Sequence, residues 1–394
     1  MVKPVMPSYS RAPFKFNRGE GCWLYDEDNK PYLDIGSGIA VTSLGHANPD
    51  LIKVLNEQAA KLWHVSNLYD IPNQEYLAQR LVDETFADTV FFTNSGAEAM
   101  ECAIKTARKY WFEKGQPGRS TIITLENAFH GRTMATISAV GSEKLTKGFG
   151  PLLPGFMQLS IEEDLSSYRI AFGKPETAAI IVEPIQGEGG IIPLPDQFLR
   201  SIRDLCNETG VLLICDEIQC GVGRTGKLFA HEWSGVSPDI MAIAKGIGNG
   251  FPLGACLATE EAAFGMTPGS HGSTYGGNPL ACAVGSKVLD TIARKEFLES
   301  VNRKAGFFRQ KLESVIDENP KIFDHVRGQG LMLGLKCKVP NLDVVSCAYE
   351  QKLLLVPAAD NTVRLLPALN IPEVDLQEAI LRLEKTALSL EKKL

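Results

Sequence analysis

No apolar run in this sequence approaches the roughly 18 residues that a membrane-crossing helix needs. The first twenty residues carry Lys3, Arg11, Lys15 and Arg18 among prolines, with no apolar core of the kind a secretory signal requires. A cytoplasmic protein is therefore expected. Basic clusters are also missing: 40 Lys and Arg stand against 47 Asp and Glu, a net charge of −7, so no nucleic-acid partner is expected. The nine cysteines are scattered, show no Cys-x-x-Cys spacing and mostly sit in apolar runs such as Val211–Cys215, which suits small buried hydrophobes rather than a disulfide framework. Six histidines without His-x-x-x-His spacing give no ground for a resident metal. What remains is ordinary globular usage, 44% apolar and 22% charged, in a chain of 394 residues. That length exceeds what one compact core usually organises, so two domains are expected.

Around the turn-rich Asp26-Glu27-Asp28-Asn29, apolar residues alternate from Gly21 to Ile35 as in a β-hairpin. Further on, short apolar runs recur at Thr89–Thr93, Thr121–Leu125, Ala178–Val182, Val211–Cys215, Ile240–Ala244 and Ala255–Ala258. Helical stretches at Ala97–Lys114 and Asp196–Thr209 separate several of them, which predicts βαβ units and an α/β fold with a mostly parallel central sheet. Past about residue 290 come helical periodicity, the runs Leu331–Leu335 and Val363–Leu366, and an amphipathic helix over Glu373–Leu394 with Leu376, Ile380, Leu383 and Leu388 on its apolar side. The expected division is an N-terminal segment of a smaller α+β domain (1–50), a large domain (51–289), and the rest of the smaller domain (290–394).

Ligands of open α/β sheets bind beyond the carboxyl ends of the strands, so polar residues directly after apolar runs are the ones to inspect. Glu183 follows Ala178–Val182, Asp216 and Glu217 follow Val211–Cys215, and Lys245 follows Ile240–Ala244. A strand-end lysine followed by Gly-Ile-Gly-Asn-Gly has its amine at the rim with room beside it, which suits covalent capture of a carbonyl group; a surface lysine before a flexible loop has the same local sequence. Asp216 on a neighbouring strand fits a carboxylate facing a pyridine nitrogen and equally fits a helix cap. Ser95 and Glu98 make a Ser-x-x-Glu capping box, and Gly96 and Ala97 leave backbone amides open for a phosphate or simply begin a capped helix. Gly221–Lys227 imitates a nucleotide loop, but Leu228 stands where a P-loop needs Ser or Thr, and Asp239 precedes its strand instead of ending it.

Five motifs in order, with Lys245 between the last two, resemble the class III aminotransferases. They are Ser95-Gly96-Ala97-Glu98-Ala99, Phe129-His130-Gly131-Arg132-Thr133, the Glu183–Gly190 segment, Asp216-Glu217-Ile218-Gln219 and the Gly272–Pro279 segment. The resemblance spans nearly the whole chain. It implies a fold type I enzyme, pyridoxal 5'-phosphate as cofactor and a homodimer with shared active sites. Carried onto this chain, it gives Lys245 and Asp216 as catalytic residues. It assigns the cofactor to Gly96, Ala97, Phe129, Lys245, the segment Asp216-Glu217-Ile218-Gln219 and Thr274 of the partner subunit. Substrate contacts fall to Arg132, Ser273, Glu183 and Arg364.

Within that class, chain length, the Gly38-Ile39-Ala40-Val41 segment ahead of Gly45-His46 and the Phe129–Thr133 motif resemble the enzymes acting on acetylornithine, and this resemblance implies transfer of the terminal amino group of N-acetylornithine to 2-oxoglutarate within arginine biosynthesis. Succinylornithine, ornithine and 4-aminobutyrate are the alternative donors, and Ile39 in place of a tyrosine counts against free ornithine. From other classes, a nucleotide-dependent oxidoreductase and a non-catalytic binding protein are the alternatives. Arg132 and Arg364 are expected to hold the two carboxylates of glutamate. Arg364 lies in an apolar run where an unpaired charge is costly, and the resemblance implies Glu183 as its partner.

Overall fold

The computed structural model describes residues 4–393, so positions 1–3 and 394, at the outer bounds of the expected domains, lie outside it. Its central sheet has seven strands in the order Thr89–Thr93, Gly254–Ala258, Ile240–Ile243, Leu212–Asp216, Thr177–Val182, Thr121–Leu125, Phe156–Leu159. Every pairing from Ile240–Ile243 to Phe156–Leu159 is parallel. Gly254–Ala258 alone runs against both neighbours. The strands at Thr177–Val182, Leu212–Asp216 and Ile240–Ile243 are buried at every position, because helices cover both faces of the sheet; this is why they read as unbroken apolar runs rather than alternation. Phe156–Leu159 was not expected as a strand. It is a short, half-exposed edge whose four residues carry little periodic signal.

The covering helices follow from their sequences. Asp196–Thr209 buries Leu199, Ile202, Leu205 and Cys206 on one stripe and stops at Gly210, whose φ of 75° suits a residue without Cβ. In the last helix, Glu373–Glu391, the buried stripe runs through Leu376, Ile380, Leu383 and Ala387, whereas Leu388 is 53% exposed and off the expected face. A true 3.6-residue spacing selects Ala387 instead.

Two four-stranded sheets and a two-stranded ribbon, Ile185–Gln186 with Ile192–Pro193, complete the described residues. Phe323–Gln329, Met332–Cys337, Thr362–Leu365 and Val356–Ala358 pair antiparallel in that order. The N-terminal strands Phe16–Glu20, Trp23–Asp26 and Pro31–Asp34 form a meander whose last strand pairs in parallel with Leu353–Leu354. Beyond that strand Asp34 Oδ1 accepts from the amides of Gly36 (2.9 Å) and Ser37 (2.8 Å). Ser37, Gly38, Ile39 and Ala40 then take φ of 48°, 62°, 66° and 61° in succession. A left-handed turn of this length is costly, most of all at β-branched Ile39, and such strain concentrates where function needs a fixed backbone. No helix among the described residues is long and apolar enough to cross a membrane.

Candidate active site

The parallel strands Thr177–Val182, Leu212–Asp216 and Ile240–Ile243 are consecutive neighbours and end on the same rim of the sheet. They open there on a cavity of about 310 Å³ lined by Glu183, Asp216, Gln219 and Lys245. Its other walls include Gly96, Ala97 and Phe129.

Lys245 leaves its strand with a φ of 49°, left-handed backbone for a residue with a Cβ. Burial pushes its amine below the ordinary lysine range; the Glu188 charge pulls the other way, and the Arg364 charge adds to the lowering. An amine biased toward neutrality is a nucleophile and a base.

Asp216 is 3% exposed and its two oxygens are already oriented. Oδ2 is 2.8 Å from His130 Nδ1, and Oδ1 accepts from the Ile218 amide at 3.1 Å. Burial opposes charge on His130, yet the Asp216 hydrogen bond and charge outweigh it and leave the imidazole raised. His130 Nε2, on the opposite side of the ring, has no partner. The sequence gives His130 no role of its own; its only signal is its position directly after Phe129.

The capping box at Ser95 forms with one change of partner. Ser95 Oγ accepts from the Glu98 amide at 3.3 Å, while Glu98 Oε2 reaches back to the Asn94 amide at 2.7 Å. This begins the 18-residue helix Gly96–Glu113, whose first residues, Gly96 and Ala97, line the cavity. A Cβ on Gly96 would lie 2.9 Å from Ile218 Cγ2, so glycine is what lets the helix start approach that side chain.

Two expected assignments are corrected. Glu183 does not pair with Arg364: its carboxylate accepts from the amides of Phe129 (2.8 Å) and Gly187 (3.1 Å). Burial, with a further push from Asp216 against the pull of His130, raises it to about 7. The partner of Arg364 is Glu188, gripped at 2.5 Å and 3.1 Å by the two terminal nitrogens. Arg364 also donates to Gln219 Oε1 (3.2 Å) and to the Pro357 carbonyl (3.1 Å). Both acids lie in one quoted motif, but the ribbon Ile185–Gln186 and Ile192–Pro193 turns the chain between them, so only Glu188 faces the arginine.

Glu217 also departs from its expected place at the cofactor. Its side chain is fully buried and taken up by the amides of Ala230 and His231, by His231 Nδ1 and by Cys220 Sγ. It anchors the loop from which its neighbours Asp216 and Gln219 reach the cavity.

Arg132 is exposed, with its guanidinium 5.8 Å from the centre of the Phe129 ring. It shares with Glu188 a second cavity, of about 660 Å³, that Phe129 separates from the first. Ser273 and Thr274 do not join Lys245 within one chain. They line a separate hollow of about 290 Å³, where Ser273 Oγ accepts from the Gly276 amide at 2.9 Å and Thr274 is exposed.

These residues fit pyridoxal phosphate. An amine biased toward neutrality suits its aldehyde, a fixed buried carboxylate suits its ring nitrogen, and a glycine-led helix N-terminus suits its phosphate. Phe129 offers an aromatic face on the remaining wall.

The family model for class III aminotransferases matches residues 5–387. The chain is 61% identical over 391 residues to an acetylornithine aminotransferase of Rhodobacter capsulatus, covering 99% of each protein. Against the acetylornithine aminotransferase of Aquifex aeolicus it is 47% identical over 377 residues, 95% of this chain and 97% of that protein. Among solved structures, the N-acetylornithine aminotransferase of Stenotrophomonas maltophilia matches with a TM-score of 0.86 at 36% identity, covering 98% of both chains. An ornithine aminotransferase of Toxoplasma gondii matches with a TM-score of 0.95 at only 31% identity, covering 99% of this chain and 94% of that one. Overall shape is therefore common to enzymes named for different donors.

Proposed function

The chain belongs to the class III aminotransferases, and from that premise we propose that it transfers the terminal amino group of N2-acetyl-L-ornithine to 2-oxoglutarate. The products are N-acetyl-L-glutamate 5-semialdehyde and L-glutamate. Near-complete matches to proteins named for acetylornithine favour this donor over its relatives. Pyridoxal phosphate, when bound, supplies the electron sink that stabilises negative charge at the carbon bearing the amine. The chain supplies everything else. Lys245 acts through Nζ, first as nucleophile and then as the base that moves the donor's proton. Asp216, oriented by His130 and the Ile218 amide, would face the ring nitrogen with its carboxylate. Gly96 and Ala97 would hold the cofactor's phosphate, Phe129 would cover its ring, and Gln219 would contact it from the same wall as Asp216.

One observation carries the two-substrate reading: Arg364 is buried against a carboxylate that belongs to the protein. With Glu188 in place, Arg364 is neutralised and the site admits a donor with one carboxylate, which Arg132 takes. When Glu188 leaves, Arg364 offers the same two-pronged grip to the second carboxylate of 2-oxoglutarate. We place Ser273 and Thr274 at the site of the other subunit in a homodimer, Thr274 at the phosphate, which accounts for their separation from Lys245 within one chain. The division at about residues 50 and 290 into a large domain and a smaller one built from both chain ends belongs to the same proposal.

The test separates the half-reactions by stopped-flow absorbance. Arg364→Ala should slow the half-reaction with 2-oxoglutarate by roughly tenfold to a hundredfold, the scale of a lost charge-assisted grip. The half-reaction with acetylornithine should be largely spared. Equal losses in both would rule out the exchange at Arg364.

A further inference from the structure

The segment Gly221–Lys227, so like a nucleotide loop in sequence, is packed shut. Val222, Gly223 and Gly226 have φ of 53°, 82° and 92°. A Cβ on Gly223 would stand 2.5 Å from Ile292 Cγ2, and one on Gly226 would stand 2.0 Å from Asn302 Oδ1. These glycines let the loop press against the helices Pro279–Ile292 and Lys295–Glu318.

At the centre of the loop is Arg224, 1% exposed. Its Nη1 donates to the carbonyl of Leu331 at 3.2 Å and, closely, to that of Pro367. The Leu331 amide returns a bond to the Arg224 carbonyl at 3.0 Å. Nε and Nη2 have no partner, and burial without any opposing charge pulls the guanidinium down to about 9. A buried cation without a carboxylate is a poor device for stability, since desolvation is not repaid.

Its two carbonyl partners indicate what it holds. Pro367 lies three positions after Arg364, just past the strand Thr362–Leu365. Leu331 leads into the strand Met332–Cys337, whose Gly334 is in register with Arg364. Arg224 thus grips both strands around Arg364, from the loop that begins at Asp216 and Gln219. Gln219 itself accepts from Arg364 at 3.2 Å.

We propose that Arg224 is a positioning residue for the reaction, fixing the separation between the Asp216–Gln219 rim and Arg364 so that the grip on a second carboxylate falls at the right distance. This rests on the role given above to Arg364. Misplacement by about an ångström can cost on the order of a hundredfold in such a grip, whereas a substrate that does not use Arg364 is indifferent to it.

The test uses the cofactor-loaded enzyme and Arg224→Met, with Arg224→Lys as a second variant that keeps a cationic donor on a shorter side chain. Three quantities are measured: binding of glutarate, a dicarboxylate that cannot accept an amino group, by titration calorimetry; the acetylornithine half-reaction by stopped-flow; and thermal unfolding. The inference expects glutarate affinity to fall by roughly tenfold or more in Arg224→Met and by less in Arg224→Lys. The acetylornithine rate should stay within about threefold of the wild type, as expected for uniform binding left intact. Equal losses in glutarate affinity and acetylornithine rate, unchanged glutarate affinity, or failure of both variants to fold would each overturn it, leaving Arg224 a part of the fold alone. The glutarate arm does not depend on the donor. A wild type that binds glutarate without reacting with acetylornithine would sink the donor assignment and leave Arg224 to be judged on its own result.

Discussion

Glu183 follows and Asp216 ends one of two adjacent parallel strands, yet the surrounding groups treat the two carboxylates differently. Asp216 is tied to an imidazole. Glu183 has only two backbone amides as hydrogen-bond donors, and burial carries it from 4.5 up to about 7. Because the folded protein binds this proton more tightly than the unfolded chain does, the group's contribution to stability is fully present below about pH 4.5 and is lost as pH rises through about 7. Glu183→Gln removes that dependence. Denaturant unfolding between pH 5 and pH 8 should therefore show wild-type stability declining relative to the variant as pH rises, and a constant difference would show that Glu183 ionises as freely in the fold as outside it. At this scale the sequence revealed the strand-end residues Asp216 and Lys245, because an acid or amine directly after a buried run is visible locally. It did not reveal which of Glu183 and Glu188 meets Arg364, nor the bond from His130 to Asp216. Those depend on contacts across 176 and 86 positions, which no local pattern encodes.

The start of the helix Gly96–Glu113 shows how an element can be legible while its fit is not. Ser95 and Glu98 announced the cap, but the need for glycine at position 96 arises from Ile218, on another segment. Gly96→Ala should push Ile218 aside and weaken cofactor binding on the order of tenfold, the scale of overpacking by one methyl group. Trimming the obstacle in Gly96→Ala with Ile218→Ala should restore much of the affinity, measured by fluorescence titration. Full affinity in the single variant would mean that the amides at the helix start are not the phosphate site. The buried strands were readable for the same reason that they are rigid, being covered on both faces. The half-exposed edge Phe156–Leu159 and the left-handed turn Ser37–Ala40 were not, since neither has a hydrophobic period to betray it.

At the scale of the whole molecule, one chain gathers an amine, a carboxylate and a helix N-terminus on one sheet rim and aligns a neutralised arginine beside them. Two further candidate groups, Ser273 and Thr274, face a separate hollow, and it is the proposed homodimer that would bring them to a site. The central claim is that Lys245, through bound pyridoxal phosphate, passes an amino group from acetylornithine to 2-oxoglutarate. Its most direct test is the visible absorption band of the purified, cofactor-loaded protein. Acetylornithine alone should convert the band completely, 2-oxoglutarate should restore it, and Lys245→Ala should show neither change on the timescale of turnover. A wild-type band indifferent to acetylornithine, or a Lys245→Ala protein that still cycles at close to the wild-type rate, would contradict it.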